Sequence, residues 1–310
     1  EFRNGFAPVR LNGQWVLMDT LGRLLIRRFY RALGHFEEDL ARVQVVRAWG
    51  YVDRQGNEVV PPRFEEAGDF CGGLAPAAFD GRAGFINKEG KFAVKPVFSA
   101  TGNFRDGLAP AADNGRWGFV DPGGTFAIGP AWDGAQAFQG DVALVTQGGY
   151  WGLVNRAGQE VVSPQFEFVK GHAHGEFFDG MALAYRDGKY GFVDQQGNVA
   201  IEPMFDLAGD FGEGLALVEI NGAYGYVDKA GKLVIMPKFE DAGVFSDGLA
   251  QVRVNGKWGY INTDGQMAIP ASFDAATPFR DGLALVISGG LWQYVDRFGG
   301  AVWREKNQPR

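Results

Sequence analysis

Short β-prone runs, each ending at a turn signal, follow one another along the chain. In the stretch 215–239, one apolar run ends at Asn221-Gly222, a second ends near Gly231, and a third continues to Phe239. Asn-Gly between two such runs supplies the positive φ angles of a tight hairpin. Runs of this length that are bounded by turn residues are typical of antiparallel strands. The pattern therefore predicts three consecutive strands joined by tight turns.

The same pattern recurs nine times at a nearly constant period. An aromatic residue marks the centre of most copies, and 34 residues separate successive centres, except for 39 between Trp151 and Tyr190. Self-similarity at such a period predicts a repeat architecture in which each unit packs mainly on its neighbours. The centres are Trp15, Trp49, Ala83, Trp117, Trp151, Tyr190, Tyr224, Trp258 and Trp292.

We expect a single repeat domain over residues 1–310, because an array of this kind forms one continuous body. The ends of the array differ from the middle, since the first and last copies lack the Gly that usually follows the central aromatic. The nine repeats are expected at approximately 5–38, 39–72, 73–106, 107–140, 141–179, 180–213, 214–247, 248–281 and 282–310.

Small and turn-forming residues keep fixed places in the repeat. Asp or Asn stands four residues after each centre and Gly three residues later, as in Asp53 and Gly56. A short carboxylate or amide can accept hydrogen bonds from its own downstream backbone, so we interpret these residues as turn formers rather than ligands. Ala stands eight residues before every centre, which predicts close approach of the strands. The Gly that follows most centres, such as Gly118, leaves room for a neighbouring ring or backbone.

Two further sets of aromatic residues recur at fixed depth. Residues that repeat in register along an array are expected to stack, so we predict two aromatic columns in the core. The first set is Phe64, Phe98, Trp132, Phe166, Phe205, Phe239 and Phe273, and the second is Phe36, Phe70, Phe104, Phe138, Phe177, Phe211, Phe245 and Phe279.

The predicted fold class is all-β. A helical repeat of the same length needs two helices per unit, and no unit offers ten residues with helical apolar spacing and free of Gly or Pro. The least clear stretch is 23–30, which has some helical character. We expect tandem 34-residue, three-stranded β-repeats in an open β-solenoid or superhelix. The alternative is a closed, β-propeller-like arrangement, which commonly has four strands per blade.

Composition narrows the function classes. The net charge of −7 disfavours nucleic-acid binding, which needs a basic surface. No apolar run is long enough to cross a membrane, so membrane insertion is not expected. Cys71 is the only cysteine and excludes an intrachain disulfide; we interpret it as a small packing residue. The chain begins at Glu1, without a signal peptide or Met, and this end does not predict the compartment.

The chain resembles the WG-repeat, or KWG-repeat, family over essentially residues 5–303. The resemblance rests on the Trp-Gly cores at 49–53, 117–121 and 258–262, together with the recurring Asn-Gly, Asp-x-x-Gly and Pro-x-Phe elements. Ala83, Tyr190 and Tyr224 depart from the central Trp. The resemblance implies a mainly bacterial protein, often secreted or in the envelope, with an interaction role. It carries over no catalytic residues and no cofactor.

The one break in the period lies at residues 167–179, where repeat five contains extra residues. Insertions in repeat arrays map to loops, and loops often carry function. Two of the three histidines of the chain, His172 and His174, lie there and make a metal site conceivable. A recognition loop and a neutral insertion are the alternatives. The predicted partner-binding residues of this segment are Glu167, Lys170, His172, His174, Glu176 and Asp179.

A row of acidic residues precedes the glycine that ends the repeat. Spaced one repeat apart, these side chains can attract a basic partner, but we interpret them first as exposed turn residues. No pair of carboxylates stands out from this periodic background, and no catalytic triad or nucleotide-binding motif has the required context. The row is Asp106, Asp179, Glu213, Asp247 and Asp281.

These observations favour a non-enzymatic β-repeat scaffold that binds a protein partner, one form of which is a bacterial immunity or envelope adaptor protein. The periplasm or envelope is slightly favoured over the cytoplasm. The alternative is a carbohydrate or cell-wall binding module, in which exposed rings of the repeat stack on sugars; burial of those rings discriminates between the two. Besides the loop, partner binding is predicted at positions that vary between copies, namely Arg54, Lys88, Arg156, Gln195 and Lys229.

Overall fold

The computed structural model describes residues 5–169 and 175–305, and within these ranges the chain is all-β. These described residues form 34 strands in nine small sheets. Every sheet is a meander, because its strands are hydrogen-bonded in sequence order and the paired strands are antiparallel. The chain divides into two compact units, Glu1–Pro164 and Gln165–Arg310.

Sheets 1–5 belong to the first unit, apart from the last residues of β19. Sheet 1 contains β1 (Phe6–Leu11), β2 (Gln14–Asp19) and β3 (Leu24–Tyr30); sheet 2 contains β4 (Ala32–Glu37), β5 (Leu40–Val45), β6 (Ala48–Asp53) and β7 (Glu58–Phe64); sheet 3 contains β8 (Glu66–Ala67), β9 (Ala75–Phe79), β10 (Arg82–Ile86) and β11 (Phe92–Phe98). Sheet 4 contains β12 (Ala100–Thr101), β13 (Ala109–Asp113), β14 (Arg116–Val120) and β15 (Phe126–Trp132); sheet 5 contains β16 (Gly134–Ala135), β17 (Val142–Gln147), β18 (Tyr150–Asn155) and β19 (Glu160–Glu167).

Sheets 6–9 belong to the second unit. Sheet 6 contains β20 (Met181–Arg186), β21 (Lys189–Asp194) and β22 (Val199–Phe205); sheet 7 contains β23 (Leu207–Gly212), β24 (Leu215–Ile220), β25 (Ala223–Asp228) and β26 (Leu233–Phe239). Sheet 8 contains β27 (Asp241–Ala242), β28 (Ala250–Val254), β29 (Lys257–Ile261) and β30 (Met267–Phe273); sheet 9 contains β31 (Ala275–Ala276), β32 (Leu283–Ser288), β33 (Leu291–Asp296) and β34 (Ala301–Arg304).

Three strands per repeat was too few, since seven of the nine sheets described have four. The additional strand comes directly after the preceding sheet and is often only two residues long, as in Glu66–Ala67. A pair of residues is too short for an alternation pattern, which explains why it was missed. Four strands is also the number typical of a propeller blade. Sheet 3 consequently begins at Glu66, ahead of the repeat boundary expected near residue 73.

Residues 24–30 form strand β3, so the local helical character considered for this stretch is not realised. The turns follow the predicted chemistry. Asp228 accepts hydrogen bonds through Oδ1 from the backbone N–H groups of Ala230 (3.0 Å) and Lys232 (2.9 Å). Gly231, with φ 79°, donates its N–H to the Asp228 carbonyl oxygen at 2.9 Å. The short side chain and the glycine together hold a tight turn, as expected for such a pair.

The glycine after the central aromatic gives space to backbone rather than to a ring. A Cβ atom on Gly118 would lie 2.8 Å from the carbonyl oxygen of Gly129 on the adjacent strand and would also clash with the Ile128 carbonyl. A bulge interrupts the β14–β15 register at this point. The close approach of the two strands therefore requires glycine.

Consecutive sheets pack through buried small residues and aromatic pairs. The alanine eight residues before each centre is at most 4% exposed, as the predicted close approach requires. Phe70 packs on Tyr51 of the preceding sheet with ring centroids 4.8 Å apart, and Phe245 packs in the same way on Tyr226. The ring partner of Phe70 and Phe245 is thus the aromatic residue two positions after a centre, rather than a member of the predicted column.

Candidate functional site

Three of the five acids in the predicted row, Asp179, Glu213 and Asp247, form a ladder of contacts between consecutive sheets in the second unit. The Asp179 carboxylate accepts a hydrogen bond from the Gly214 N–H at 2.6 Å, and the Glu213 carboxylate accepts one from the Gly248 N–H at 2.9 Å. Asp179 has φ 51° and Glu213 has φ 53°, so both occupy the left-handed region that turns require. These carboxylates therefore shape turns and join neighbouring repeats, besides being exposed.

Equivalent contacts occur at two more turns. Glu38 accepts from the Gly73 N–H at 3.0 Å, and Asp247 accepts from the Gly282 N–H at 2.9 Å. Each acceptor precedes its donor by 35 residues, one period plus one, because an acid in one turn reaches the glycine that ends the following turn. The acceptors of these contacts are Glu38, Asp179, Glu213 and Asp247.

Several basic positions predicted for partner binding face these acids. The Lys229 ammonium lies 2.9 Å from the Asp179 carboxylate, and the Lys88 ammonium lies 3.2 Å from Glu38. The Lys229 hydrogen bond, together with the Gly214 N–H, lowers the pKa of Asp179 below its ordinary value. Each of these pairs spans 50 residues of sequence, so a lysine of one sheet reaches the turn acid beside the previous sheet.

Two arginines at the same repeat position are also engaged within the molecule. Arg156 donates to the backbone carbonyl oxygens of Asp106 and Gly140, both at 3.0 Å. Arg54 pairs with the Asp39 carboxylate at 2.7 Å, and its guanidinium lies 5.4 Å from the ring centroid of Phe36. A partner that binds these side chains must compete with contacts that already exist.

Glu167 belongs to a second row of carboxylates, which caps the hairpin turns. Its Oε1 accepts a hydrogen bond from the Asp187 N–H at 3.2 Å. Glu240 makes the corresponding contact with the Gly256 N–H at 3.0 Å. Asp206 does the same for Asn221 while it also pairs with Lys189, and these two donors lower its pKa.

Four of the remaining predicted partner-binding residues lie in the insertion, and the fifth, Gln195, lies in a turn of sheet 6. Glu176 and Gln195 are exposed. Lys170, His172 and His174 lie outside the described residues. Among residues 5–169 and 175–305, no group of three His, Cys, Asp or Glu side chains has an arrangement that could hold a metal ion. Cys71 is half-buried, and burial is the main factor that raises the pKa of its thiol.

The rings at the repeat centres divide between core and surface. Trp151 is fully buried and Tyr190 is 8% exposed, whereas Trp49, Trp117 and several others are half-buried. In sheet 9, Trp292 is 44% exposed. The eight rings at the centres are thus neither all buried, as a purely structural role predicts, nor arranged as a solvent-facing row, as carbohydrate binding predicts.

An apolar surface that sequence reasoning missed lies on the last strands of sheets 7 and 8. A groove of about 420 Å³ lies between them, lined by Lys238, Phe239, Val254, Gly265, Met267, Pro270 and Ala271. Beside it on β26, the side chain of Met236 is 63% exposed and that of Val234 is 43% exposed. The alternation of side chains along these strands could have predicted this surface. In β26 and β30, apolar residues stand at the outward positions on either side of the buried Ile235 and Ile269.

The structure describes no helix that is long and apolar enough to span a membrane. Its repeated antiparallel sheets, linked by turn carboxylates and interlocking aromatic residues, define a tandem-repeat β-protein. The family model described as "WG containing repeat" matches residues 1–15, 49–82, 84–117, 117–151, 151–190, 190–222, 224–258 and 258–292. The chain belongs to the WG-repeat family, which confirms the resemblance seen in its motifs.

Comparison with known proteins adds information about the fold alone. No curated protein gives a match. A crystal structure of a eukaryotic initiation factor aligns with a TM-score of 0.53 at 11% identity, over 98% of this chain and 96% of that one. PorZ, a surface component of the type-IX secretion system of Porphyromonas gingivalis, aligns with a TM-score of 0.35 at 12% identity, over 97% of this chain and 55% of that one.

Proposed function

We propose that this protein is a non-enzymatic repeat scaffold that binds another protein. The observation that carries the proposal is the apolar groove between the last strands of sheets 7 and 8, with the exposed Met236 beside it. Contiguous exposed apolar surface is uncommon on soluble proteins unless it contacts something. Met267 in the groove is 43% exposed, and methionine adapts its shape to different apolar partners.

The edge position of these strands supports the same role. β26 and β30 are each paired on one side only in their sheets. Pro237 and Pro270 lie in them, and proline on an edge strand removes a donor that would otherwise invite uncontrolled strand pairing. The surface therefore presents side chains to a partner while its backbone is partly protected. We propose that the partner contributes apolar side chains to the groove.

The proposal is tested by replacing Met267 with lysine, which places a charge in the groove. Met267→Lys should reduce capture of the partner from extracts of the source organism by at least tenfold. Val59→Lys is the matched control, because Val59 is an exposed apolar residue (41%) on β7, the last strand of a sheet in the first unit. A photo-crosslinking residue at position 271 should label the same captured protein. Capture that is equal for the wild type and Met267→Lys would contradict the proposal.

Carbohydrate binding is the alternative function, and it can be tested with the same purified protein. Its structural basis is the exposed aromatic group of sheet 9, in which Trp292, Tyr294 and Trp303 are each more than 40% exposed. Aromatic faces of this kind are suited to stacking on apolar ring surfaces. Saturable binding of cell-wall oligosaccharides that is lost in Trp292→Ala would favour this function, whereas protein capture dependent on Met267 favours the scaffold.

A bacterial immunity or envelope adaptor is one specific form of the scaffold proposal, and identification of the captured partner decides it. The order of the sheets, as an open solenoid or a closed propeller, is a separate question. We favour blade-like sheets, because four strands per sheet is the usual number in a propeller. Small-angle X-ray scattering of the full chain separates a closed ring from an open coil.

A further inference from the structure

Repeat three has Ala83 at the position where the other eight repeats have Trp or Tyr. The structure has a pocket of about 270 Å³ at this position. Ala83 itself is 5% exposed, while Ala78 and Thr101 on the pocket wall are half-buried and Glu66 is exposed. The lining is Arg42, Glu66, Ala67, Gly68, Pro76, Ala77, Ala78, Ala83, Thr101, Gly102 and Asn103.

Sheet 2 shows what occupies the corresponding space one repeat earlier. There the central residue is Trp49, and the Arg42 guanidinium lies 5.5 Å from its ring centroid. Arg42 also donates to the Ala67 carbonyl at 3.0 Å and pairs with the Asp69 carboxylate at 3.1 Å. The Trp49 indole and the Arg42 guanidinium of sheet 2 thus occupy the space beside Ala67 and Asp69 at the start of sheet 3.

The residues one period later in the sequence, at the equivalent positions of the next repeat, line the pocket. Trp49 becomes Ala83 and Arg42 becomes Pro76, while Ala67 and Asp69 become Thr101 and Asn103. All four of these counterparts line the pocket. The replacement of a large ring and a long side chain by alanine and proline therefore accounts for the vacant space.

Sheet 4 separates the contributions of the two replacements. It keeps a proline, Pro110, at the position of Arg42, but it also keeps Trp117 at its centre. Trp117 pairs with Ala112 across β13 and with Trp132 across β15. The corresponding neighbours of Ala83 are Ala78 and Phe98. Proline at this position is thus compatible with a central tryptophan, and Ala83 is the replacement that is specific to repeat three.

The chemistry of the lining suits one aromatic ring. Pro76, Ala77, Ala78 and Ala83 supply apolar groups, whereas Thr101 and Asn103 supply polar groups and Arg42 and Glu66 supply charged ones. The volume lies below the range of about 300–1,000 Å³ of pockets for drug-sized ligands. Cavities made by removing a large apolar side chain can bind small aromatic molecules.

We propose that this pocket binds one indole ring, presented as the tryptophan side chain of a partner protein. A buried tryptophan in a pocket is a frequent anchor of protein interfaces. The protein source of the ring rests on the proposed scaffold function, whereas the preference of the pocket for indole does not. The pocket lies in the first unit and is distinct from the groove that contains Met267 in the second.

The test uses the full chain with N-acetyltryptophanamide as the probe, followed by ligand-observed saturation-transfer NMR. Saturable binding at millimolar concentration is expected for the wild type, with at least tenfold weaker binding of N-acetylleucinamide. Ala83→Trp fills the pocket from within and should weaken probe binding at least tenfold. Ala127→Trp, which adds an indole at an exposed position on β15, should bind as the wild type does.

Ala78→Leu narrows the pocket from the neighbouring strand and gives a second reading if Ala83→Trp does not fold. A tryptophan-containing partner peptide that competes with the probe would support a protein source, whereas binding of the free amide without any such competition would overturn that source. The absence of saturable probe binding to the wild type, or equal binding by wild type, Ala83→Trp and Ala78→Leu, would overturn the pocket proposal. Loss of partner capture in Met267→Lys leaves these results unaffected, so the two proposals fail separately.

Discussion

At the scale of single residues, one position shows how a polar atom is accommodated in the core between sheets. Tyr226 is fully buried, and its hydroxyl donates to the Gly243 carbonyl oxygen of the next sheet at 2.6 Å. Burial raises the pKa of this hydroxyl far above its ordinary value, so the group remains a neutral donor. Tyr51 makes the same contact with Gly68 at 2.7 Å. Phe192 occupies the equivalent position in another repeat. The packing between sheets therefore needs an aromatic ring at this position, and the tyrosine hydroxyl adds a hydrogen bond where it is present.

Tyr226→Phe should therefore lower the free energy of unfolding by about 1–2 kcal/mol, because the Gly243 carbonyl loses its donor while the ring packing remains. The urea unfolding midpoint, followed by circular dichroism, measures this change. Tyr150→Phe removes a hydroxyl from a 47% exposed ring and should leave the midpoint unchanged. Equal midpoints for wild type and Tyr226→Phe would show that the buried hydroxyl contributes nothing to stability.

At the scale of strands and turns, the sequence predicted what is local and missed what is short. Two turns of this kind were predictable from their own residues, because those residues determine the backbone conformation. They are the turn at Asn221-Gly222 and the turn formed by Asp228 with Gly231. The strand Glu66–Ala67 has no such signal, since two residues carry no period. Its pairing with Ala77 and Ala78 depends on the position of β9, which only the folded sheet provides. The glycine after most centres was predicted in part. The motif indicated that a small residue was needed there, and the structure shows that the backbone of the adjacent strand occupies the space.

Gly118→Ala should destabilise the protein strongly, by about 2–4 kcal/mol, because the added Cβ would clash with rigid backbone on β15. Gly129→Ala is the matched control, since it lies on that same strand and a Cβ there has no atom within 4 Å. The control should be neutral or slightly stabilising, because alanine in an extended strand loses less conformational entropy than glycine. Differential scanning calorimetry compares the two variants. A similar Tm for both would refute the argument from close strand approach.

At the scale of the whole molecule, many of the acidic side chains stabilise turns or connect neighbouring repeats. Asp179 and Glu213 join consecutive sheets, and Asp206 and Asp274 cap hairpins while pairing with lysines. The period revealed that these residues recur, but their partners could not be predicted. Lys229 reaches Asp179 across 50 residues, which is not a multiple of the repeat. That contact depends on how one sheet packs on the next.

These carboxylates predict a loss of stability in acid. Hydrogen bonds from Lys189 and Asn221 lower the pKa of Asp206, and hydrogen bonds from Lys257 and Gly290 lower that of Asp274. A carboxyl with a lower pKa in the folded chain adds stability above its unfolded pKa of about 3.9 and loses it as the pH falls through the folded value. Stability should thus decline progressively below about pH 4.

Thermal unfolding between pH 2 and pH 7 measures this decline. The double variant Asp206→Asn and Asp274→Asn should show a smaller difference in Tm between neutral and acidic pH than the wild type. Asp264→Asn is a suitable control, because Asp264 is an exposed acid in a turn. An unchanged pH dependence in the double variant would place the acid sensitivity elsewhere.

The hydrogen bond from a turn glycine to the acid of the preceding turn also bears on how the chain can change in length. Glu213 serves the repeat after it, and Gly214 beside it is served by the repeat before it. Residues 213–214 and 247–248 therefore each supply one acceptor and one donor of the same kind. Gly72 and Gly140 take the place of the acid in two earlier repeats, so this regularity belongs to the second unit. There, a tandem duplication of one whole period leaves no orphaned partner at the new junction. The fold thus permits growth by copying, and each new copy is free to diverge at its exposed positions.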